Sequence, residues 1–100
     1  MNPSPINQYY IDLGDGTKRE IKFTLGVLRR LKAKLGKSLM NGEAFASLDE
    51  EMLPALIHEA LVEKNLTEDE ISEMIQVPHL ERIITEIVTA YSGNFSTAKN

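Results

Sequence analysis

Cysteine and tryptophan are absent from this 100-residue chain, and proline and glycine occur at ordinary levels, with 4 and 6 residues. Without cysteine, the chain can form neither a disulfide nor a thiolate metal site, which fits a reducing compartment. No apolar run approaches the roughly 18 residues that a membrane-spanning helix requires. The opening Met1-Asn2-Pro3-Ser4-Pro5 lacks the basic and apolar regions of a secretory signal peptide. We therefore expect a soluble, cytoplasmic protein with no membrane partner.

Positive and negative charges are separated along the chain, although the net charge is only −4. Residues 18–37 hold eight Lys or Arg and one acid, a balance of +7. Residues 38–100 hold twelve acids and three Lys or Arg, a balance of −9. A molecule with one basic and one acidic region can steer a charged partner or associate with a second copy of itself. Solvated faces with no partner would explain the same pattern equally well.

Two β-prone segments near the start predict an N-terminal hairpin. Residues 8–13 are rich in aromatic and apolar side chains, and residues 18–23 alternate between polar and apolar. Between them, Gly14-Asp15-Gly16 contains the Asp-Gly pair typical of tight turns, because glycine adopts a positive φ at little cost. We therefore predict a β-hairpin at this end of the domain.

Helical periodicity follows the hairpin. Thr24 can cap a first helix, whose apolar stripe reaches about Leu35, and Gly36 can end it. A second helix is predicted over roughly residues 49–64, where apolar residues recur at helical spacing. Pro54 leaves its first turn undecided, because a proline inside a helix removes one backbone hydrogen bond. The helix therefore either bends at this proline or begins just before it.

Two further helices are predicted toward the end of the chain. Thr67 and Glu70 can form a capping box, in which each side chain bonds to the other residue's backbone N–H. A fourth helix follows over about residues 79–91, with apolar residues at i, i+3, i+4, i+7 and i+8. The segment Ser92-Gly93-Asn94 is expected to end it.

Together these elements predict one small α+β domain, with an N-terminal β-hairpin followed by about four amphipathic α-helices. We place this domain at residues 8–91, between a flexible N-terminus at residues 1–7 and a flexible tail at residues 92–100. A chain of this length buries roughly 65% of the surface that it exposes when unfolded. A hydrophobic core can therefore hold the domain together without disulfides or metals.

The side-chain arrangements typical of catalysis are not found. His58 and His79 are the only histidines, and neither has a second histidine at the spacing of a zinc site. His58 beside Glu59 could serve as a base or a metal ligand, but we favour an ordinary surface or partly buried histidine. The paired acids lie on polar helix faces, where solvated carboxylates are expected. We therefore predict no enzyme, no cofactor and no metal site.

The basic first helix raises a nucleic-acid-binding alternative. Arg29, Arg30, Lys32 and Lys34 could lie along a phosphate backbone. Against this, the protein is acidic overall, and the helix carries no Asn, Gln or Ser to read base edges. A small nucleic-acid-binding regulator is therefore the second hypothesis, and a self-associating structural adaptor is the third.

Three short motifs occur in a particular order along the chain. Residues 36–39 read Gly-Lys-Ser-Leu after the first helix, residues 48–61 form a helix led by Asp and Glu, and residues 66–70 read Leu-Thr-x-x-Glu. With the preceding hairpin and the final amphipathic helix, this order covers about residues 8–91. Over that stretch the chain resembles the tail assembly chaperones of long-tailed bacteriophages and related prophages.

The resemblance implies a protein that binds the long, helical tape measure protein in the host bacterial cytoplasm, with the tail tube protein as a further partner. Such a chaperone would keep the tape measure protein soluble while tail tube subunits polymerise around it, and would need no catalytic residue. Amphipathic helices suit this role, because they can cover an apolar helix surface. The candidate contacts are cations and adaptable apolar side chains: Arg29, Arg30, Lys34, Met40, Phe45 and Met52.

Overall fold

The structure, a computed structural model, describes residues 8–40, 45 and 47–96. A two-stranded antiparallel hairpin precedes four α-helices, which confirms the predicted α+β class. Residues 1–7 and 97–100, part of the two predicted flexible ends, lie outside the described residues. In chain order the elements are β1 (Tyr9–Asp12), β2 (Lys18–Ile21), α1 (Leu25–Leu35), α2 (Met52–Ala60), α3 (Glu68–Met74) and α4 (Leu80–Ser96), with a 3-10 turn at Val77–His79.

The hairpin turn is held by one aspartate. The Asp12 carboxylate accepts hydrogen bonds from the backbone N–H groups of Gly14, at 2.8 Å, and Gly16, at 3.1 Å. These bonds, that of Gly14 above all, lower the pKa of Asp12. Both glycines have a positive φ, 117° and 80°, which side-chain-bearing residues rarely adopt. The predicted turn is thus confirmed, and it aligns Tyr9 with Ile21 across the strands.

The first helix begins and ends where the sequence predicts. The Thr24 hydroxyl accepts a hydrogen bond from the N–H of Val27 at 3.1 Å. At the other end, Gly36 has a φ of 77° and donates its N–H to the carbonyl of Lys32 at 2.9 Å. This left-handed glycine is a common helix end, because it satisfies a carbonyl that the helix would otherwise leave unpaired.

The structure decides how α2 accommodates Pro54. The Asp49 carboxylate accepts hydrogen bonds from the N–H groups of Glu51 and Met52, at 3.0 and 2.9 Å. The N–H of Leu53 donates to the Asp49 carbonyl at 2.9 Å, so one turn already forms ahead of the proline. Pro54 has no N–H to continue the series, and the regular helix therefore runs from Met52.

The predicted end of the second helix, near residue 64, is wrong. The helix ends at Ala60, and Leu61 adopts an extended conformation. The Lys22 N–H donates to the Ala60 carbonyl at 2.9 Å, and the Val62 N–H donates to the Glu20 carbonyl at 3.0 Å. The chain leaves the helix because this segment pairs with the free edge of β2. Leu61 thus forms an isolated antiparallel bridge with Ile21, beside the edge of the hairpin.

The third helix has the predicted capping box, whereas the fourth is longer than predicted. The Thr67 hydroxyl accepts from the Glu70 N–H, and the Glu70 carboxylate accepts from the Thr67 N–H. The expected stop after residue 91 is wrong, because α4 continues through Gly93 to Ser96. Gly93 permits the close approach of the Tyr9 phenol, since a Cβ at this position would overlap the Tyr9 ring and hydroxyl.

The hydrophobic core draws side chains from the hairpin and from all four α-helices. Fully or almost fully buried examples from the hairpin and the four helices are Ile11, Leu31, Leu56, Ile71, Ile83 and Ile87. The connector between α1 and α2 contributes Phe45, whose ring lies 4.7 Å from that of Tyr91 and 6.4 Å from that of Phe23. The Tyr91 hydroxyl donates to the Met40 carbonyl at 2.7 Å. The connector therefore packs on α4 through the ring contact between Phe45 and Tyr91 and through the hydrogen bond from Tyr91 to Met40.

Candidate partner-binding surfaces

The basic cluster of α1 divides into paired and unpaired cations. The Arg30 Nε donates to the Glu59 carboxylate at 2.8 Å. The Lys34 Nζ donates to the same carboxylate at 3.4 Å and to Glu68 at 2.6 Å. Arg29 and Lys32 are exposed, and neither makes an ion pair with another described residue. Of the three predicted cationic contacts, Arg30 and Lys34 thus connect helices within the molecule, and Arg29 points to solvent.

Glu59 is the one buried charged side chain among the described residues. Burial raises its pKa, but the hydrogen bonds from Arg30 and Lys34 outweigh burial and hold the pKa below the usual value. The pKa of Lys34 is raised, chiefly by its hydrogen bond to Glu68. This network joins α1 to α2 and α3, and its two cations partly cover the carboxylate from solvent.

His58 lies beside this network. Its Nδ1 is 4.0 Å from the nearer Glu59 oxygen and has no hydrogen-bond partner within the described residues. Among those residues, no group of three His, Asp or Glu side chains is arranged to hold a metal ion.

The predicted apolar contacts occupy three different environments. Met40 is 60% exposed, and Met52 is half-buried in the first turn of α2. Phe45 is buried between Phe23 and Tyr91, so in this structure it belongs to the core and is not presented to a partner. The six predicted contacts thus do not form one surface, because they divide among a solvent-facing helix side, internal ion pairs and the core.

An apolar groove that sequence reasoning did not identify lies between the start of α2 and the start of α4. It consists of two adjoining depressions, with cavity volumes of about 190 and 220 Å³, that share Glu50, Leu53 and Leu80. Its full lining is Leu48, Asp49, Glu50, Leu53, Pro54, Ser72, Ile75, Val77, Leu80 and Ile84. Seven of these ten side chains are apolar, so the groove suits an apolar occupant.

Val77 is the most exposed apolar residue of the groove. Its side chain is 77% exposed, whereas Ile75, Leu80 and Ile84 are half-buried. In the sequence, Val77-Pro78 signals only a helix end, and Leu80 and Ile84 fit the inward stripe of α4. The groove arises because the 3-10 turn carries Val77 across the gap between α3 and α4, which periodicity along one helix does not report.

A second, more polar depression lies on the outer face of the hairpin. It is lined by Tyr10, Lys18, Glu20, Val62 and their neighbours, with charges of both signs. Because both signs of charge line it, the surface offers no single preferred ligand charge.

In the described ranges, no helix is long and apolar enough to cross a membrane. No protein family, curated protein or solved structure compared with the chain matches it.

Proposed function

We propose that this protein is a tail assembly chaperone, which binds the tape measure protein of a long-tailed phage and keeps it soluble in the host cytoplasm while the tail tube assembles. Two observations support the proposal. One is the ordered set of motifs over residues 8–91, and the other is the hairpin and four-helix architecture that carries them.

The apolar groove is the observation that carries the proposal furthest. A tape measure protein exposes long stretches of apolar helix before tube subunits enclose it. Helix-in-groove binding places the apolar face of such a segment in a hydrophobic groove and leaves its polar face in water. The exposed Val77 and the half-buried Ile75, Leu80 and Ile84 provide the matching surface on this chain.

The groove walls are held in place before any partner arrives. Pro54, in the lining, and Pro78, directly after Val77, fix two backbone φ angles. Asp49 caps the turn at the start of α2 through two hydrogen bonds to backbone N–H groups. A preformed groove costs less conformational entropy on binding than a mobile surface. A small domain can therefore cover an apolar segment without refolding.

The test is co-expression with the tape measure protein encoded beside this gene, followed by measurement of soluble co-purified complex. The wild-type chain is expected to bring an otherwise insoluble partner into solution. Val77→Lys places a charge in the groove and is expected to reduce the complex at least about tenfold, because a desolvated charge opposes apolar burial. Val62→Lys is the matched control, since Val62 is also exposed but lies on the outer hairpin face.

Charge reversal on α1 tests the competing surface. Arg29→Glu with Lys32→Glu is the informative pair, because Arg30 is bonded to Glu59 and its reversal would also disturb the fold. Loss of the complex in this pair alone would move the interface to α1. If no variant or wild-type chain binds and the partner is equally soluble alone, the proposal fails. Binding of duplex DNA that falls steeply with salt and is lost in the pair would instead support the nucleic-acid-binding hypothesis.

A further inference from the structure

The charges that line the apolar groove are all of one sign. Asp49 and Glu50 are its only charged lining residues, and no Lys, Arg or His of the described chain lines it. Glu50 is exposed, lines both depressions and forms no ion pair with another described residue. The groove therefore presents an apolar floor beside an uncompensated carboxylate.

The described cations of the chain lie on other surfaces or are engaged elsewhere. Arg82 is paired with Glu86, and the Lys64 amino group is held by backbone carbonyls at the end of α2. Arg30 and Lys34 are bonded to the Glu59 carboxylate. No cation of the described chain therefore lies in the groove to balance the charge of Glu50. Only a cation from a binding partner could compensate that charge.

We infer that the groove selects an amphipathic helix that carries Lys or Arg beside its apolar stripe, an inference that rests on the proposed function. Apolar residues at i, i+3 or i+4 and i+7 would occupy the floor, and a flanking cation would reach Glu50. A helix with acidic flanks would bring like charges together at the rim and would be rejected. An anionic membrane surface would be repelled for the same reason.

This charge preference acts mainly on selectivity, because exposed ion pairs add little affinity on their own. Burial of the apolar stripe supplies most of the binding, and the rim carboxylate decides between helices of similar hydrophobicity. The preference is expected to weaken with added salt, since the Debye length falls to about 3 Å at 1 M. Apolar binding is expected to persist under the same conditions.

The test uses two designed helical peptides of about 18 residues, or five turns, with the same leucine stripe. One carries Lys at every flanking position and the other carries Glu. Each is labelled at its N-terminus and titrated with the full chain by fluorescence anisotropy at low and high salt. The Lys peptide is expected to bind at least about fivefold more tightly than the Glu peptide at low salt, as like-charge rejection predicts. Equal affinity of the two peptides would overturn the inference.

Two variants assign the effect to the groove. Glu50→Lys is expected to abolish the preference, because the new lysine balances the remaining charge of Asp49, whereas Glu63→Lys, the same charge change on an exposed residue outside the groove, is expected to preserve it. Val77→Lys is expected to weaken both peptides. An unchanged preference in Glu50→Lys would overturn the inference. So would a wild-type dimer in analytical ultracentrifugation that Val77→Lys converts to monomer, because a second copy would then be the occupant.

The same variants separate failure of this inference from failure of the proposed function. If the tape measure complex forms and survives both Glu50→Lys and Val77→Lys, the chaperone proposal stands and the groove assignment fails. If the peptides obey the predicted preference but no tape measure complex forms, the groove assignment stands and the chaperone proposal fails.

Discussion

Glu59 lies where α1 packs on α2, and its carboxylate accepts hydrogen bonds from Arg30 and Lys34. Its side chain is only 11% exposed, so the carboxylate depends on these two donors for the solvation that water would otherwise supply. Both donors also keep a water-accessible portion, at 57% and 36% exposure. The hydrogen bonds of this network therefore matter most to Glu59, which has little contact with water. They matter less to Arg30 and Lys34, which remain partly hydrated.

This difference predicts the pH dependence of stability. The folded pKa of Glu59 lies below its ordinary value of 4.5, so the unfolded chain takes up the proton first as the pH falls. The stabilisation that the ionised Glu59 network provides is present above pH 4.5 and is lost as the pH falls through the folded pKa of Glu59. We expect Glu59→Gln to cost about 1 kcal/mol near neutral pH and to cost less below pH 4.5. Urea unfolding at both pH values measures this, with Glu63→Gln as the exposed control; an equal cost at both would contradict it.

Gly93 is a second residue whose role depends on a single contact. A Cβ at this position would overlap the Tyr9 phenol, although the helix itself would accept alanine. We expect Gly93→Ala to destabilise the protein by about 1–2 kcal/mol, because Tyr9 must give up its packing on α4. In a Tyr9→Ala background the same change is expected to stabilise by up to about 1 kcal/mol, the helix preference for alanine. A double-mutant cycle of thermal unfolding checks this change of sign.

At the scale of the elements, the end of α2 is the junction on which the helices and the hairpin depend. The Lys64 amino group donates to the carbonyls of His58, Glu59 and Leu61, which the helix end leaves without backbone partners. Burial lowers the pKa of Lys64, which is the cost of placing an ammonium group over the helix end. The same turn carries Val62 to its hydrogen bond with Glu20 in β2.

Removing this lysine cap is expected to destabilise the end of α2 and the backbone pairing that joins it to β2. Lys64→Met retains most of the aliphatic chain but loses the three hydrogen bonds, for an expected cost of about 1.5–3 kcal/mol. Amide hydrogen exchange is expected to show faster exchange at Lys22 and Val62, whose N–H groups pair across this junction. Lys32→Met, at an exposed position of α1, is the control and is expected to leave those rates unchanged. Unaltered exchange in Lys64→Met would show that the cap does not hold the junction.

At the scale of the whole molecule, the groove is a feature of the surface that the core does not require. Val77 is 77% exposed, and few packing contacts depend on it. We expect Val77→Lys to change the free energy of unfolding by no more than about 0.5 kcal/mol, as is usual for surface substitutions. Chemical denaturation measures this change. A larger loss of stability would mean that the reduced binding of this variant cannot be assigned to the groove.

Much of the local structure could be predicted because it depends on residues close in sequence. The turn at Gly14 to Gly16, the cap at Thr24, the end at Gly36 and the capping box at Thr67 each satisfy backbone groups within a few residues. Their hydrogen bonds need no distant element. Local chemistry of this kind therefore determined the element types, their order and most of their starts.

The ends of α2 and α4 could not be predicted in the same way. Residues 61–64 read as helix, but pairing with β2 across some forty positions of sequence outweighs helical propensity there. Gly93 reads as a stop, but it lies within α4, where the missing Cβ leaves room for the Tyr9 phenol. In both places the chain meets the hairpin, a contact that the local sequence signals do not report.

The candidate surface, like the ends of α2 and α4, depends on tertiary contacts. Composition and order predicted a small α+β domain with separated charges, and they are the basis of the proposed chaperone function. Only the folded chain paired Arg30 and Lys34 with carboxylates, buried Phe45, and brought Val77 beside Leu53 and Leu80. The physical reason is that backbone capping acts over one helical turn, whereas burial and charge pairing depend on which distant segments meet.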